Sequence, residues 1–517
     1  MRIAALDVGS NSFHLLVVEA QADGHFETLV REKEMLRLGD VVSREGKVTD
    51  LAAEQVIDSV RRLKALADAA GADEFVAFAT RAMREADNSP AVVDRIEART
   101  GVRVEVISGQ EEARLIFAAV QASILMDQPP ALCLDLGGGS LEITVGDQSK
   151  LLWSASLPLG VARLSAELVR HDPPEAEDVR RLRRRVTSLL APVAAEIADL
   201  RPQMLVGTSG TLCDLASMAA ARSGPLPESI NQLSVRRKDL AIVHDRILAL
   251  PAAARTRMPG LEAKRADIVP AGSVLLMTAM ELFGMDRLTV GEWALREGMV
   301  LDAIARHDAA DWSGEPVAIR RTSVLALARR CGYDEVHANQ VARLSVDLFD
   351  QTGSLHGLDG GDRELLEFGA LLHDIGEHVS VDAHHKHTAY LVQHGRLRGF
   401  APEEVNMLAS LGRFHRRGEP KLSFEPYAAL DPIDRERVTK LTALLRLADG
   451  LDRSHNGNVV DVDAVVADGA VRLSVTASKD AELELWGLRR KRDLFEKVFE
   501  CRLEASAVEP SAEARMS

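Results

Sequence analysis

Two stretches of the chain repeat one pattern of hydrophobic and polar positions. In each, an apolar strand ends in an aspartate, a turn of small residues follows, and a second apolar strand comes after the turn. The first copy runs over residues 6–12 and continues into 13–18, and the second runs over 134–140 and continues into 141–145. Both copies predict a strand, a tight turn and a strand. They lie too far apart for short solenoid repeats and therefore predict two duplicated halves.

Helical and strand patterns alternate around these copies. The spacing predicts a helix over 51–70, strands over 74–79 and 102–107, and a helix over 111–122. Such alternation is typical of an α/β architecture.

The pattern changes after residue 307. Residues 308–316 have the composition of a linker, and from Arg320 to about Leu451 the apolar residues recur at helical spacing. Strands are predicted again over 459–466 and 471–476, followed by a helix over 489–499 and a final strand. The last dozen residues are expected to be frayed. We therefore expect four domains, which are two α/β lobes (1–123 and 124–307), an all-α domain (316–455) and a small α+β domain (456–517).

Composition narrows the classes of function. Hydrophobic residues make up 46% and charged residues 27% of the 517, which is typical of a globular protein. Aromatic residues make up only 4%, so a base-stacking surface for nucleic acid is not expected. No apolar run is long enough to span a bilayer, the N-terminus lacks a signal-peptide pattern, and the four cysteines are far apart. We therefore expect a cytoplasmic protein.

The duplicated turns carry the candidate chemistry. A turn of small residues after a strand directs several backbone N–H groups to one point, which suits a phosphate. The aspartate at each strand end can hold a cation that neutralises this phosphate. A single such turn is a weak signal, because many tight turns look like it, but two copies favour a two-lobed phosphate clamp. The phosphate-binding candidates are Gly9, Ser10, Asn11, Ser12, Gly137, Gly138, Gly139, Ser140 and, in a third turn, Gly207, Ser209 and Gly210. Asp135 and Asp7 are the candidate ligands of Mg²⁺ or Mn²⁺.

Four segments between and after these turns resemble a known family. They cover residues 77–88, 106–115, 157–164 and 295–298. Together with the turns, they resemble the exopolyphosphatase/guanosine pentaphosphate phosphohydrolase family of the actin/Hsp70/sugar-kinase superfamily. The resemblance covers essentially the whole chain and implies two actin-like (ribonuclease H-like) lobes, followed by the helical and α+β domains of the longer members.

The resemblance also implies catalytic residues. It implies a general base at Glu112, with Glu111 as the alternative, and a second carboxylate at Glu142 that positions the water or binds the metal. Arg84 matches an arginine that contacts phosphate, and Arg81 is a weaker match. A fixed carboxylate can both deprotonate and aim a water molecule, so these roles are chemically reasonable.

The helical region contains a second candidate site. His337, the pair His373-Asp374, and Asp449 occur in the order found in HD-domain hydrolases, which predicts an HD-like domain and a possible second metal. A purely structural domain is the alternative. Three neighbouring histidines, His384, His385 and His387, are interpreted as solvated polar residues.

The net charge of −15 opposes binding of a polyanion, so local basic clusters are needed. The proposed track for polyphosphate in the helical domain comprises Lys386, Arg413, His415, Arg416 and Arg417. The arginine-rich run at 180–185 is interpreted as a solvated helix face.

The favoured function is metal-dependent, processive release of terminal orthophosphate from inorganic polyphosphate. The alternatives are conversion of guanosine pentaphosphate to tetraphosphate, and a polyphosphate- or nucleotide-binding regulator with vestigial catalysis. A homodimer is expected.

Overall fold

The chain of the computed structural model forms two compact units, Met1–Ile319 and Arg320–Ser517. The structure describes residues 1–21, 25–307 and 316–508. Nearly all of the predicted linker and most of the predicted frayed end lie outside these residues. None of the described helices is both long enough and apolar enough to cross a membrane.

The first unit contains two β-sheets. Its strands are β1 (Arg2–Val8), β2 (Ser12–Ala20), β3 (Phe26–Met35), β4 (Glu74–Ala79), β5 (Glu105–Val106), β6 (Ala131–Leu136), β7 (Leu141–Gly146), β8 (Leu151–Leu157), β9 (Met204–Thr208), β10 (Ser234–Arg236) and β11 (Arg287–Val290). The predicted strand over 102–107 is thus reduced to two residues, because only Phe78 and Ala79 of β4 offer it partners.

The two sheets repeat one topology, as the duplicated sequence pattern predicts. The strand order is β3-β2-β1-β4-β5 in the first sheet and β10-β11-β9-β6-β7-β8 in the second. In each sheet three consecutive strands form antiparallel pairs, and the first of them also pairs in parallel with a later strand. Asp7 and Asp135 occupy equivalent places near the ends of β1 and β6.

Helices cover the faces of these sheets. The helices of the first unit are α1 (Leu38–Glu45), α2 (Asp50–Ala69), α3 (Arg81–Glu85), α4 (Ser89–Thr100), α5 (Gly109–Ser123), α6 (Val161–Leu168), α7 (Ala176–Glu196), α8 (Ser209–Ala220), α9 (Arg237–Ala249), α10 (Ala252–Arg255), α11 (Val269–Leu282) and α12 (Leu295–His307), with 3-10 turns at Ala198–Leu200 and Ala263–Arg265. Strand β1 is buried on both faces, which explains its continuous apolar sequence.

Helix α5 lies between the two sheets. Leu115 and Ile116 pack with β1, whereas Phe117 and Val120 pack with Cys133 of β6. Helix α12, assigned from sequence to the second lobe, packs on the first sheet beside α5. The N-terminus of α5 is thereby held where the two sheets face each other.

The second unit is mainly helical, as predicted. Its helices are α13 (Pro316–Arg330, whose first residues precede the unit), α14 (Glu335–Gln351), α15 (Gly353–His356), α16 (Gly360–Leu372), α17 (His384–His394), α18 (Pro402–Phe414), α19 (Glu425–Ala429), α20 (Pro432–Leu451), α21 (Glu482–Lys491) and α22 (Asp493–Phe499), with a 3-10 turn at Ile375–His378. Strands β12 (Val459–Ala467), β13 (Ala470–Ala477) and β14 (Arg502–Val508) form one sheet in the order β12-β13-β14.

The predicted α+β segment from residue 456 does not have a core of its own. Val462 and Val475 of its sheet belong to the same buried cluster as Leu348 of α14 and Leu445 of α20. The helix predicted over 489–499 is two helices, α21 and α22. Residues 320–508 therefore share one hydrophobic core.

The contact between α12 and α5 depends on Gly298. A Cβ atom at this position would lie 2.0 Å from the backbone oxygen of Leu115, far inside contact distance. Gly298→Ala should therefore force the two helices apart and lower the free energy of unfolding by about 1–3 kcal/mol. Chemical denaturation measures this loss. Gly224→Ala is the matched control, because a Cβ at Gly224 meets no atom within 4 Å; equal stability losses in both variants would contradict the expected contact.

Candidate functional site

The duplicated turns meet in one cleft of about 210 Å³ in the first unit. We call it the phosphate cleft. Of the predicted site residues, it is lined by Asp7, Gly9, Ser10, Asn11, Ser12, Glu112, Asp135, Gly137, Gly138, Gly139, Ser140, Ser209 and Gly210. Gly207 does not line it: a Cβ there would lie 2.8 Å from Leu288, so this glycine serves packing below the turn. Arg84 and Glu142 stand behind the lining residues.

The turns approach each other too closely for larger residues. A Cβ at Gly138 would lie 3.0 Å from Cβ of Asn11, and one at Gly139 would lie 2.9 Å from Oγ of Ser10. Within the first turn, a Cβ at Gly9 would lie 2.8 Å from the backbone oxygen of Ser12. The glycines therefore allow the two turns to lie against each other in one surface of the cleft.

The third turn supports this surface. Ser209 has a left-handed backbone (φ 75°) at the start of α8, and its Oγ donates to the backbone oxygen of Leu136 at 2.7 Å. Thr208 Oγ1 donates to Asp135 Oδ1 at 2.6 Å. Gly210 leaves room for Arg265, whose guanidinium would lie 2.4 Å from a Cβ at that position. The turn thus orients Asp135 and brings a cation to the cleft.

Four carboxyl groups, of which Glu112 and Glu142 are buried and Asp7 and Asp135 half-buried, form the acidic side of the cleft. Burial, with the nearby charges of Glu112 and Asp135, raises the pKa of Asp7 to about 7. Burial also raises the pKa of Asp135 to about 6. Burial raises the pKa of Glu112, and it raises that of Glu142 well above the usual value with help from the charge of Glu112. Each group thus makes its neighbours harder to ionise.

These carboxyl groups fit a divalent cation. Asp7 Oδ1 is buried and has no hydrogen-bond partner among the described residues. Oxygen donors of this kind are the ligands that Mg²⁺ and Mn²⁺ prefer. A cation near Asp7 and Asp135 would supply the missing partner and compensate the repulsion between the carboxylates.

Of the two adjacent glutamates, only Glu112 faces the cleft. Both lie in the first turn of α5, which Ser108 caps by accepting a hydrogen bond from the backbone N–H of Glu111. Glu112 is buried and accepts a hydrogen bond from Arg84 Nη1 at 2.9 Å. Glu111 instead pairs with Arg114 at 2.7 Å, which lowers its pKa. Glu112 is therefore the better candidate base.

Arg84 holds Glu112, whereas Glu142 is held by a different side chain. Arg84 also donates to the backbone oxygen of Ile107 at 2.8 Å, so its guanidinium is fixed behind the carboxylate. Glu142 accepts from Ser156 Oγ at 2.8 Å. Arg81 points elsewhere, since it pairs with Glu85 at 2.5 Å.

The opposite side of the cleft is cationic, which the sequence analysis missed. It is lined by His14, Lys33, Lys264, Arg265 and Arg296. Burial, with the neighbouring Lys264 and Arg265, lowers the pKa of Lys33 to about 8. Burial and Arg296 lower the pKa of His14 well below its usual value, so this imidazole is neutral. The cationic groups lie close enough together to disfavour one another's charge, which an anionic ligand would relieve.

His14 orients a hydroxyl of the first turn. Arg296 Nη1 lies 3.5 Å from His14 Nδ1, and because Arg can only donate, that nitrogen accepts. His14 Nε2 then carries the hydrogen and donates to Ser12 Oγ at 2.7 Å. The Ser12 hydroxyl hydrogen remains available to a bound phosphate.

The internal repeat contained the signal for His14. Asp7 pairs with His14 across the first hairpin, and Asp135 pairs with Glu142 across the second. His14 and Glu142 are thus counterparts, one on the cationic side and one on the acidic side. Lys33 and Lys264 come from distant segments and have no comparable signal in the sequence, whereas Arg296 lies in the segment 295–298 that resembles the family but was given no role.

The second predicted cluster also assembles, in the second unit. His337, His373 and Asp449 offer ligand atoms within 4.8 Å of one another. Asp374 Oδ2 lies 3.3 Å from His373 Nε2 and 3.8 Å from His337 Nε2. Although burial opposes it, the charge of Asp374 raises the pKa of His373 to about 9. We call these residues, with His384 and His415, the His/Asp cluster.

Two predictions about surface histidines are wrong. His384 and His385 were interpreted as solvated but are buried, at 8% and 7% exposure. His415 was assigned to an exposed polyphosphate track, yet it is 1% exposed and its Nε2 lies 3.2 Å from Asp374 Oδ1. These histidines are buried because α17 packs against α18. Lys386, Arg416 and Arg417 are exposed and Arg413 is half-buried.

The fold and the phosphate cleft define a phosphohydrolase with opposed carboxylates and cations around glycine-rich turns. The model of the Ppx/GppA phosphatase family matches residues 17–307, and that of domain III of this family matches residues 319–492. The chain therefore belongs to the Ppx/GppA phosphatase family. The family resemblance seen in the sequence is confirmed, and with it the assignment as a phosphoanhydride hydrolase.

Relatives and solved structures agree. The chain is 34% identical over 326 residues to exopolyphosphatase 1 of Mycobacterium leprae, covering 63% of this chain and 94% of that protein. An exopolyphosphatase structure from Cytophaga hutchinsonii is similar with a TM-score of 0.56 and 30% identity, covering 59% of this chain and 98% of that one. A Ppx/GppA family structure from Aquifex aeolicus is similar with a TM-score of 0.53 and 28% identity, over 59% and 98% of the two chains.

The carboxyl groups predict a pH-dependent effect of cations on stability. Because the folded-state pKa of Asp7 is raised to about 7, its stabilising contribution is complete below the ordinary pKa of 3.8 and is lost as pH rises through about 7. Bound Mg²⁺ offsets this loss. Calorimetry should therefore show a larger Mg²⁺-induced rise in Tm at pH 8 than at pH 5.

Asp7→Asn provides the control, because it keeps the shape and removes the charge. The difference between the two pH values should shrink in this variant. An identical Mg²⁺ response in Asp7→Asn and the unaltered protein would argue against a cation at Asp7.

Proposed function

We propose that the protein is an exopolyphosphatase that releases terminal orthophosphate from inorganic polyphosphate, one residue after another. The observation that carries this proposal is the phosphate cleft, which brings together carboxyl groups, two glycine-rich turns and the cationic residues Lys33, Lys264 and Arg296. A terminal phosphoryl group fits the turns, and the next phosphoryl groups fit the cationic side. The names of the mycobacterial and Cytophaga relatives support the same substrate.

The residues of the cleft divide the work of hydrolysis. The turns Gly9–Ser12 and Gly137–Ser140 donate N–H and hydroxyl hydrogens to the phosphoryl oxygens and stabilise their charge as the anhydride breaks. Glu112 accepts a proton from water, which then attacks the terminal phosphorus in line with the leaving oxygen. Arg84 holds Glu112 in this position.

Asp135 and Asp7 would hold a divalent cation, which when bound neutralises phosphate charge. Glu142 would orient the attacking water from behind Glu112; its hydrogen bond with Ser156 fixes the carboxyl group. The high pKa of this cluster suits proton transfer near neutral pH, because a base works best when its pKa lies near the operating pH.

We also interpret the wider architecture in these terms. The two sheets with equivalent strand orders support two actin-like lobes, and the His/Asp cluster supports an HD-like second unit. The four cysteines, all in the described part of the chain, form no disulfide, which supports a cytoplasmic location. The predicted homodimer stays a prediction that light scattering can measure.

Glu112→Gln keeps the shape of the side chain but removes the base. Turnover of polyphosphate should fall by about 10² to 10⁴-fold, with substrate binding retained. Phosphate release measures turnover, and the same assay with guanosine pentaphosphate decides between the two substrates.

Glu111→Gln is the matched control, since this neighbour pairs with Arg114 outside the cleft. Its turnover should be close to that of the unaltered protein. A large loss in Glu111→Gln with normal turnover in Glu112→Gln would move the base by one residue and contradict the assignment.

Two groups of basic residues should act on different lengths of substrate. Lys33→Ala and Lys264→Ala remove charge inside the cleft and should weaken binding of short and long chains alike. Charge reversal at Lys386, Arg416 and Arg417 should weaken only long chains and flatten the salt dependence of their affinity, by analogy with polyanion binding elsewhere.

Binding titrations with short and long polyphosphate at several salt concentrations measure both effects. Lys150→Ala is the control, because Lys150 is exposed and lies outside the cleft. Unchanged long-chain affinity after the charge reversals would reject the track in the second unit.

A further inference from the structure

The His/Asp cluster offers two groups of ligands rather than one. His337, His373 and Asp449 form the first, and Asp374, His384 and His415 form the second. The carboxylate of Asp374 faces both, because Oδ2 lies 3.3 Å from His373 and Oδ1 lies 3.2 Å from His384 and from His415. The sequence predicted the first group and Asp374, but not His384 and His415, as ligands.

The hydrogen bonds of the four imidazoles show which nitrogen is free. Each Nδ1 faces an oxygen that accepts a hydrogen bond. For His337 this is Asp452 Oδ2 at 2.8 Å. For the other three it is a backbone oxygen: Ala370 at 2.7 Å from His373, Val381 at 3.0 Å from His384, and Gly412 at 2.8 Å from His415. Each Nδ1 therefore carries a hydrogen, and in the neutral ring each Nε2 presents a lone pair. Such support of the outer ring nitrogen is typical of metal-bound histidine.

The free nitrogens converge in pairs. Nε2 of His337 lies 3.2 Å from Nε2 of His373, and Nε2 of His384 lies 3.2 Å from Nε2 of His415. Facing lone pairs repel unless a proton or a cation lies between them. Neighbouring ligands on one ion, with bonds of about 2.1 Å, lie about 3.0 to 3.4 Å apart, which is the spacing seen in both pairs.

Asp374 gives a second, independent indication. Its Oδ1 is buried and makes no hydrogen bond within the described part of the chain, although two imidazole nitrogens lie 3.2 Å away. The three atoms are therefore directed to a common point rather than to one another.

We propose that the second unit holds a dinuclear metal centre, bridged by Asp374, that hydrolyses phosphate esters independently of the phosphate cleft. Imidazole and carboxylate ligands favour a transition metal such as Mn²⁺, Fe²⁺ or Zn²⁺ over Mg²⁺. A carboxylate bridge sets two ions at the separation of about 3.5 to 4 Å that two-metal phosphohydrolases use.

The ligand count leaves positions for substrate. The first ion would have His337, His373, Asp374 and Asp449 as protein ligands, and the second only Asp374, His384 and His415. The Asp374 side chain is 21% exposed, so the centre is open to solvent at the bridging carboxylate. The exposed Lys386 and Arg416 follow His384 and His415 closely in the chain and favour an anionic substrate.

The reaction needs only water as co-reactant. The metal pair would activate water as a nucleophile. The oxygen of water would form a bond to phosphorus, the bond from phosphorus to the ester oxygen would break, and the ester oxygen would take the proton released by water and leave as an alcohol. No oxidant or reductant is involved.

Metal content and spectroscopy test the centre in the full-length protein. After chelation and dialysis against Mn²⁺, the unaltered protein should carry two more equivalents than Asp374→Asn and show the paramagnetic resonance signal of a coupled Mn²⁺ pair. His415→Gln should lose one equivalent and the coupling, and His384→Gln should do the same. His378→Ala is the control, since His378 is exposed and nearby.

Activity is measured in a Glu112→Gln background, which silences the phosphate cleft. With Mn²⁺, p-nitrophenyl phosphate or bis(p-nitrophenyl) phosphate should be hydrolysed, and the preferred ester identifies a monoesterase or a diesterase. His415→Gln and Asp374→Asn should each reduce this rate at least tenfold, whereas His378→Ala should not.

Equal metal content in the unaltered protein and Asp374→Asn, or only an uncoupled signal, would overturn the metal pair. Absence of ester hydrolysis in a folded, metal-loaded Glu112→Gln protein would overturn the second activity. Circular dichroism confirms that each variant is folded. Polyphosphate turnover in the unaltered protein is a separate readout, so failure of either function is recognised by itself.

Discussion

The phosphate cleft of the first unit is constrained by the mutual repulsion of its carboxylates. Asp7, Glu112, Asp135 and Glu142 are brought to one place by two β-hairpins and the N-terminus of α5, and burial makes the ionised form of each costly. Such an arrangement is stable only where positive charge is supplied. The chain supplies Arg84 and Arg296, and a cation at Asp7 Oδ1 would supply further positive charge, so relief of the repulsion would contribute to cation binding.

The same cleft shows how an acidic protein can accept a polyanion. The net charge of −15 would repel polyphosphate at a distance, but Lys33, Lys264 and Arg296 are concentrated on one side of the cleft. At contact distance these few charges outweigh the diffuse charge of the surface, which salt screens beyond about 8–10 Å.

The sequence predicted the parts of the site that local chemistry defines. Asp7, Asp135 and the glycines of both turns were readable because each strand, turn and strand is a continuous segment. Glu112 and Glu142 required the family resemblance, since a carboxylate near a helix or strand end has many ordinary uses. Lys33 and Lys264 could not be found, because only the tertiary fold brings them to the cleft, and the resemblance of the segment 295–298 gave Arg296 no role. The burial of His384 and His415 was not predicted, because it depends on how the helices pack. The shared core of the α+β segment was not predicted either, because the sequence of that segment does not show which other elements it packs against.

The pairing of Asp7 with His14 and of Asp135 with Glu142 has a consequence for direction. Two identical hairpins would make a symmetric clamp. A linear polymer of phosphate is also symmetric, because its two ends are identical. A symmetric clamp on a symmetric chain would have no preferred orientation. One exchanged side chain, a neutral imidazole for a carboxyl group, makes the two hairpins chemically unequal. The cleft therefore has a direction that a linear polyphosphate lacks.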